Sequence, residues 1–234
     1  MPLLHPAHVL RPGHVVMGAG LSGTLSFRTA STAPDSTPDS QNATNALDQL
    51  STAPALAPWV SGRIGIRGDN EAGLSYSGRS VRLDGRHAFD LKSAALSLGL
   101  GATVITAAKQ PDRGSDTSNI TGGGLDLPIL IGYQSKSDVY ALWAGPRVGF
   151  EYFRGYLQPP VDAGSAGSGT SPWEVSASHG LFGFVAGIRV GFRHVHAALE
   201  LDGAYHLAEG DLGGHSVSVQ QFTLSPAGAL IVSF

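Results

Sequence analysis

The sequence ends on QFTLSPAGALIVSF, residues 221–234, which alternates between two kinds of side chain. Apolar residues such as Phe222, Leu230 and Phe234 occupy the even positions, and mostly small or polar residues such as Thr223 occupy the odd ones. Successive side chains of a β-strand point to opposite faces, so this pattern predicts a strand with one apolar face. Strands of soluble proteins usually have about 5–6 residues, whereas about 9–11 tilted residues are needed to cross a bilayer. The length of the stretch therefore favours a membrane-spanning strand.

The same alternation recurs along the chain from residue 15 and predicts ten strands. Short connections alternate with long ones at about 29–58, 106–121, 154–178 and 207–218, apart from a short outer turn near residue 78. Bacterial barrels have even strand numbers, short periplasmic turns and longer outer loops. We therefore predict that residues 15–234 form an all-β, closed antiparallel up-and-down transmembrane β-barrel of ten strands, preceded by a periplasmic segment, residues 1–14. Eight strands are the alternative if residues 72–90 form one irregular excursion.

Composition excludes several other classes of protein. A net charge of −3 in 234 residues argues against a nucleic-acid-binding protein, and the chain has no cysteine for disulfides or thiolate metal sites. The sequence contains no apolar run of 18 or more residues, so a membrane protein of this sequence must be a closed barrel. The 32 glycines, about twice the usual share of roughly 7%, suit a narrow lumen. A soluble β-sandwich remains the alternative class.

A formal match to the dinucleotide-binding fingerprint lies at residues 18–23, GAGLSG. That motif requires a helix that starts at its glycines. The chain continues instead with an alternating strand pattern and a polar tract that offers only a possible helical turn at about 43–50, so we reject the match.

Aromatic residues on the predicted apolar face concentrate near the two ends of the strands. Such a distribution is typical of the two aromatic belts of membrane barrels, which lie at the two lipid–water interfaces. The predicted girdle consists of Phe27, Phe89, Tyr133, Tyr140, Phe150, Tyr152, Phe182, Phe192, Tyr205, Phe222 and Phe234.

Charged residues fall mainly on the opposite face, which would line the lumen. Arg on a lipid-facing surface near the bilayer midplane would cost about 2–4 kcal/mol, whereas inward charges of both signs can pair across strands. We expect Arg189 and Arg193 to face Glu200 and Asp202 on the next strand. The interpretation is a salt-bridged plug, with a conduction or ligand path as the alternative. The predicted network consists of Arg63, Arg67, Arg82, Asp84, Arg86, Asp90, Asp126, Arg147, Glu151, Arg189, Arg193, His196, Glu200 and Asp202.

The nine histidines do not predict a metal or catalytic site. His196 and His206 both face the lumen, but ten strand residues separate them by about 33 Å, too far to share an ion. The adjacent pairs Ser178–His179 and His215–Ser216 point to opposite faces if they are extended. We predict no metal, no cofactor and no enzymatic activity.

The closing strand that ends on Phe234 resembles the last strand of bacterial outer-membrane β-barrels, whose terminal aromatic is read by the barrel-assembly machinery. The stretches LRPGHVVMGAGLSGTLSF, LPILIGY and LWAGPRVGFEY are similar to small outer-membrane barrels of delta-proteobacterial type. The resemblance covers nearly the whole chain and carries no activity. It implies the bacterial outer membrane, with its lipid and lipopolysaccharide, as the environment.

The predicted role is structural or loop-presenting for a monomer with a closed lumen, and the alternatives are a narrow pore or an outer-membrane lipid hydrolase. Because a barrel needs export, we expect the natural chain to carry a signal peptide that is removed. Several relatives begin their mature chain at a lipidated cysteine, which makes a lipoprotein the alternative if Met1 stands in its place.

Overall fold

The computed structural model describes residues 1–33, 37–52, 55–106, 116–158 and 171–234, apart from the side chains of residues 116–118. These ranges contain eleven strands and one helix. In chain order the elements are β1 (Val15–Gly23), β2 (Leu25–Thr32), α1 (Pro38–Ser51), β3 (Leu56–Ile66), β4 (Asn70–Ser77), β5 (Ser80–Leu91), β6 (Ala94–Thr106), β7 (Asp116–Gln134), β8 (Tyr140–Gln158), β9 (Trp173–Phe192), β10 (Val195–Leu212) and β11 (His215–Ser233).

The strands form one closed antiparallel sheet. Each strand from β3 to β11 pairs with the next along the chain, and β1 closes the ring by pairing with both β3 and β11. β2 follows β1 along the same edge of β11, so the two share one of ten positions around the barrel. The predicted ten-stranded barrel is confirmed, and the eight-stranded alternative is wrong because β4 and β5 pair regularly with each other and with their neighbours.

The seam between the first and second positions of the ring is closed only in part. β1 pairs with β3 as far as Gly23, and the N–H of Thr24 donates to the carbonyl of Ala55 at 3.1 Å. Beyond this point the only strand pairing of β2, within the described residues, is with β11. α1 follows β2 in the chain, and its Asp48 pairs with Arg28 of β2 at 2.6 Å.

Outward and inward residues follow the predicted alternation. Large apolar side chains such as Leu83 and Phe182 point outward and are 61% and 62% exposed. Arg82, on the same strand as Leu83, is buried in the lumen. The aromatic residues predicted for the girdle all lie on the outer surface, and among them Tyr205 is only partly exposed. This outer surface is the one that lipid would contact.

α1 occupies the outer end of the lumen, where the sequence predicted only a loop with a possible helical turn. The side chain of Thr37 caps its N-terminus by accepting from the N–H of Ser40, and Pro38 takes the first helical position, where its missing N–H costs nothing. The apolar face of α1, with Leu47 and Leu50, packs against the inner faces of β10 and β11. No helix among the described residues is long and apolar enough to cross a membrane.

Two other predicted regions differ from the structure. Of the segment 1–14, residues 2–7 are buried inside the barrel, whereas residues 11–14 are exposed. The predicted loop at 207–218 is a hairpin in which β10 runs to Leu212 and β11 starts at His215. Parts of the predicted loops at 29–58, 106–121 and 154–178 lie outside the described residues, and their ends are strand or helix.

Candidate functional site in the barrel lumen

The first ten residues run inside the lumen and are held through their backbone. The buried carboxylate of Glu200 accepts the N–H groups of Leu3 and Leu4 at 2.7 and 2.8 Å. It also accepts the indole N–H of Trp143 at 3.0 Å. Carboxylates form strong hydrogen bonds with N–H donors. The Glu200 carboxylate therefore satisfies backbone N–H groups that have no neighbouring strand to pair with. We call residues 1–10 the N-terminal plug.

A second set of contacts holds the plug near the short-turn end of the barrel. Arg86 donates to the carbonyls of Pro6 and His8 and to the ring Nδ1 of His5. Glu71, which is 1% exposed, accepts the N–H of Leu10 at 2.8 Å and also pairs with Arg86. The wall therefore binds mainly the main chain of the plug, while its apolar side chains pack with Trp59 and Trp143.

A chain of buried ion pairs crosses the lumen from β3 to β10. Arg63 pairs with Glu71 and with Asp84, which in turn pairs with Arg82 at 2.6 Å. Asp126 then links Arg82, at 2.7 Å, to Arg147, which reaches Asp202 at 3.2 Å. Gly101 lies directly under this chain, because a Cβ atom there would overlap the side chains of Asp126 and Arg82.

The structure brings together only part of the predicted network. Its buried or partly buried lumen members are Arg63, Arg82, Asp84, Arg86, Asp126, Arg147, Glu151, Arg189, His196, Glu200 and Asp202. Three predicted members are exposed instead: Arg67 and Arg193 lie in turns, and Asp90 lies at the end of β5. The prediction that Arg189 and Arg193 pair with Glu200 and Asp202 is wrong.

The actual partners explain this error. Arg189 pairs with Asp138, a turn residue with a φ of 53°, at 2.6 Å. Arg193 has a φ of 56° in the β9–β10 turn, and its guanidinium lies 5.1 Å from the ring centroid of Phe192. Alternation along β9 ceases to apply once the backbone enters that turn, so the direction of Arg193 could not be read from its position.

Between the ion pairs and the outer end of the lumen, four polar residues form a continuous chain of hydrogen bonds along the inner wall. Glu151 contacts Nδ1 of His179 at 2.9 Å, and Nε2 of His179 lies 2.8 Å from Nδ1 of His206. Nε2 of His206 lies 2.7 Å from the hydroxyl of Thr223. The two imidazole rings stack with their centroids 5.0 Å apart.

This chain was missed because its members come from four different strands. One proton on each histidine suffices for it: His179 donates to Glu151, His206 donates to His179, and Thr223 donates to His206. Every internal link is then satisfied with both rings neutral. The alternation of side chains along the strand predicted that His206 faces the lumen, but it gave no indication that His179 would stack on it.

Beyond the histidines the inward positions become apolar. Leu47 and Leu50 of α1 pack in a fully buried cluster with residues such as Phe153 and Leu212. Arg79, in the β4–β5 turn, donates to the carbonyls of Gln49 and Leu50 at 3.3 and 3.0 Å. A cation at this end complements the negative end of the helix dipole. We call α1 and this cluster the outer seal. The sequence contained one indication of this seal: the inward positions near the outer ends of the strands are apolar.

A cavity of about 600 Å³ lies at the short-turn end, between the plug and the wall. Its lining includes Trp59, Asp138, Arg189 and His196.

Asp138 and Glu71 were absent from the predicted network. Glu71 could have been predicted to face the lumen, because it lies two residues before the inward Gly73 on the same strand. Asp138 lies in a turn, where the alternation of strand side chains does not apply.

Titratable groups of the plug are shifted by their surroundings. Burial, and secondly the positive charge of Arg86, holds the pKa of His5 well below its usual range. Burial also lowers the pKa of His8. Within the described residues, no group of three or more His, Asp or Glu side chains is arranged to hold a metal ion.

Comparison with known proteins gives no family assignment. No protein-family model and no curated protein matches the sequence. Among solved structures, OprG from Pseudomonas aeruginosa aligns at 10% identity with a TM-score of 0.40, covering 96% of this chain and 97% of that one. Ail from Yersinia pestis aligns at 9% identity and 0.33, covering 93% and 99%. Neisserial surface protein A aligns at 13% and 0.32, covering 95% and 99%. Similarity at this level says nothing about function.

The membrane assignment follows from the strand pairing and the outer surface. Where β1 closes the ring, every strand pairs with a neighbour on each side, so the backbone groups there are satisfied internally, as a membrane requires. Its outward face is apolar and its inward face carries the buried charges. Barrels with this arrangement and with short turns at one end are those of bacterial outer membranes. The chain is therefore an integral outer-membrane β-barrel.

Proposed function

We propose that this protein is a non-conducting outer-membrane barrel that holds its outer loops and rim at the cell surface. The observation that carries the proposal is that two separate parts of the chain obstruct the lumen. The N-terminal plug occupies part of the short-turn half, and the outer seal closes the opposite end. A barrel obstructed twice is suited to anchoring and presentation rather than to passage.

The ion pairs between the two obstructions support the same role. Arg82 and Asp84 each have side chains only 2% exposed, and both are fully engaged with partners. A conducting pore needs sites that ions can enter and leave. Side chains that already pair with each other leave few such sites.

Planar-bilayer recording tests the proposal. Wild-type protein is expected to give no steady conductance. A variant that lacks residues 2–10 and a variant with Leu47→Asp and Leu50→Asp should each remain closed, and the combined variant should conduct. Steady conductance of the wild-type protein would overturn the proposal. Heat-modifiable migration on gels checks that each variant is folded.

A narrow channel is the second candidate. The cavity of about 600 Å³ at the short-turn end favours it, since that space would form half of a passage if the plug moved. A lipid hydrolase is not proposed. Thr223 does lie beside a histidine, as a nucleophile would, but it is 3% exposed and faces the lumen, away from lipid.

Further parts of the proposal concern assembly and surroundings. We propose that the protein is a monomer in contact with outer-membrane lipid and lipopolysaccharide, and that the girdle aromatics mark the two interfaces. Phe234 is 67% exposed and its backbone pairs with Val15 at the closing seam. It would be the residue that the assembly machinery reads, so Phe234→Ala should reduce the amount of folded barrel in cells. The likeness to delta-proteobacterial barrels remains a prediction.

A further inference from the structure

The cavity at the short-turn end is lined by polar atoms that have no partner. Nε of Arg189, Nδ1 of His196, Nε1 of Trp59 and Nδ1 of His8 are all buried without a hydrogen bond within the described residues. All four residues line this one cavity. Three of these residues, Trp59, Arg189 and His196, are 2%, 6% and 2% exposed. A buried polar atom without a partner is unfavourable, so the clustering of four around one cavity points to a ligand.

The chemistry of these atoms defines what the ligand offers. The Nε–H of Arg189 and the indole N–H of Trp59 can only donate. Nε2 of His196 lies 3.2 Å from the carbonyl of Asp138, so it carries a proton and leaves Nδ1 facing the ligand. Nδ1 accepts from a protonated acid or donates to an anion as the imidazolium. The free atoms therefore match a carboxyl group.

Asp138 fixes the two main side chains relative to each other. It accepts from Arg189 at 2.6 Å through Oδ1, from His196 through its backbone carbonyl, and from Gln134 at 2.6 Å. In the β9–β10 register Arg189 lies opposite Ala198 and His196 lies opposite Gly191, so both side chains occupy the same inner face as diagonal neighbours. The pair is held in place before any ligand arrives.

The rest of the cavity sets the charge and shape of the ligand. Five permanently cationic side chains and three carboxylates line it, which leaves a net positive surrounding. Leu4, Val16 and Ile231 supply an apolar wall beside Trp59. A volume of about 600 Å³ lies within the range of pockets for small molecules, about 300–1,000 Å³.

We propose that this cavity is a binding site, open at the short-turn end, for a small monocarboxylic acid. One oxygen of its carboxyl group accepts from the Nε–H of Arg189, the other shares the acid proton with Nδ1 of His196, and its apolar body lies against Trp59 and Ile231. The site goes beyond the proposed anchoring role and does not depend on whether the lumen conducts.

Calorimetric titration of the full chain in detergent micelles tests this site. The probe is sodium hexanoate, with 1-hexanol as the uncharged compound of matched shape and sodium phosphate as an anion without an apolar body. Saturable binding of hexanoate, with little or none of the other two, is expected. Arg189→Gln and His196→Gln should each raise Kd about tenfold or more, the effect of losing one hydrogen bond to a charged group.

The control is Arg193→Gln, which removes a nearby cation that lies outside the cavity and should leave Kd unchanged. Arg189→Lys keeps the charge without the Nε–H group and should also weaken binding, which separates a fitted site from general attraction. Heat-modifiable migration confirms that each variant is folded. The proposal is overturned if hexanoate heats do not saturate, if 1-hexanol binds equally well, or if the Arg189 and His196 variants bind like the wild type. In those cases ordered water alone occupies the cavity.

Discussion

The indole N–H of Trp143 and the carboxylate of Glu200 are 3.0 Å apart, and the same carboxylate accepts two backbone N–H groups of the N-terminal plug. One wall residue therefore connects the barrel to the segment that fills it. The relationship makes Glu200 a positioning residue for the plug rather than half of a salt bridge.

Glu200→Ala should loosen the plug. The N–H groups of Leu3 and Leu4 lose their acceptor, and hydrogen bonds to charged groups contribute about 1.5–3 kcal/mol each. Amide hydrogen exchange at Leu3 and Leu4 should accelerate about tenfold or more. Glu209→Ala, which removes an exposed carboxylate from the same strand, is the control. Equal exchange in the two variants would show that Glu200 does not hold the plug.

Arg82→Ala should destabilise the whole barrel. Arg82 bridges Asp84 and Asp126, and its removal leaves two buried carboxylates with one arginine partner each. Breaking a buried ion pair costs about 3–5 kcal/mol, and the remaining partners place this case near the lower limit. The urea midpoint of unfolding in lipid vesicles measures the change. Arg67→Ala, in an exposed turn, should shift stability by no more than about 0.5 kcal/mol. Similar midpoints for both variants would contradict the buried network.

Gly101→Ala tests how tightly the lumen is packed. A Cβ atom at this position overlaps Asp126 and Arg82, so the ion pairs must shift. Overpacking of this kind costs about 1–3 kcal/mol. Gly62→Ala, where an added Cβ meets nothing within 4 Å, should be close to neutral. A urea midpoint for Gly101→Ala equal to that of Gly62→Ala would mean that the lumen has room to spare.

Lower pH should weaken the hold on the plug through His5. Its pKa is well below the usual value in the folded state, because of burial and the positive charges of Arg86, Arg63 and Arg82. An unfolded histidine titrates near about 6.5. Below that pH the unfolded segment binds more protons than the folded one, so stability is lost as the pH falls.

This effect can be measured by amide hydrogen exchange of the plug from about pH 7.5 to about pH 5, after correction for the intrinsic exchange rates. The corrected opening should increase on acidification in the wild type and much less in His5→Asn. An identical pH profile in the two proteins would assign the effect to other groups.

Alternation was sufficient to predict the barrel, its strand number and the inward direction of most charges. It works because one face of each strand must be apolar and the other must fit the lumen. The prediction of Arg63, Arg82, Asp84 and Asp126 as lumen residues rested on parity alone, and all four are buried there.

Alternation could not predict the pairing of those charges or the origin of the material that fills the lumen. Pairing depends on register and on side-chain reach, as the partners of Arg189 and Glu200 show. The plug has no regular period, and its main-chain groups are held by side chains distant in sequence. α1 was only partly foreseen, because its helical stretch is short and lies within a polar tract.

The unequal lengths of the strands bear on the lipid around the barrel. β4 has 8 residues and β9 has 20. At about 3.4 Å per residue and a tilt of about 40°, β4 rises roughly 20 Å, less than the apolar band of about 25 Å that such barrels present. We therefore expect the bilayer to become thinner beside β4, while beside β9 it meets a wall taller than itself. The protein is thus an asymmetric inclusion that creates a local gradient of membrane thickness around its own circumference.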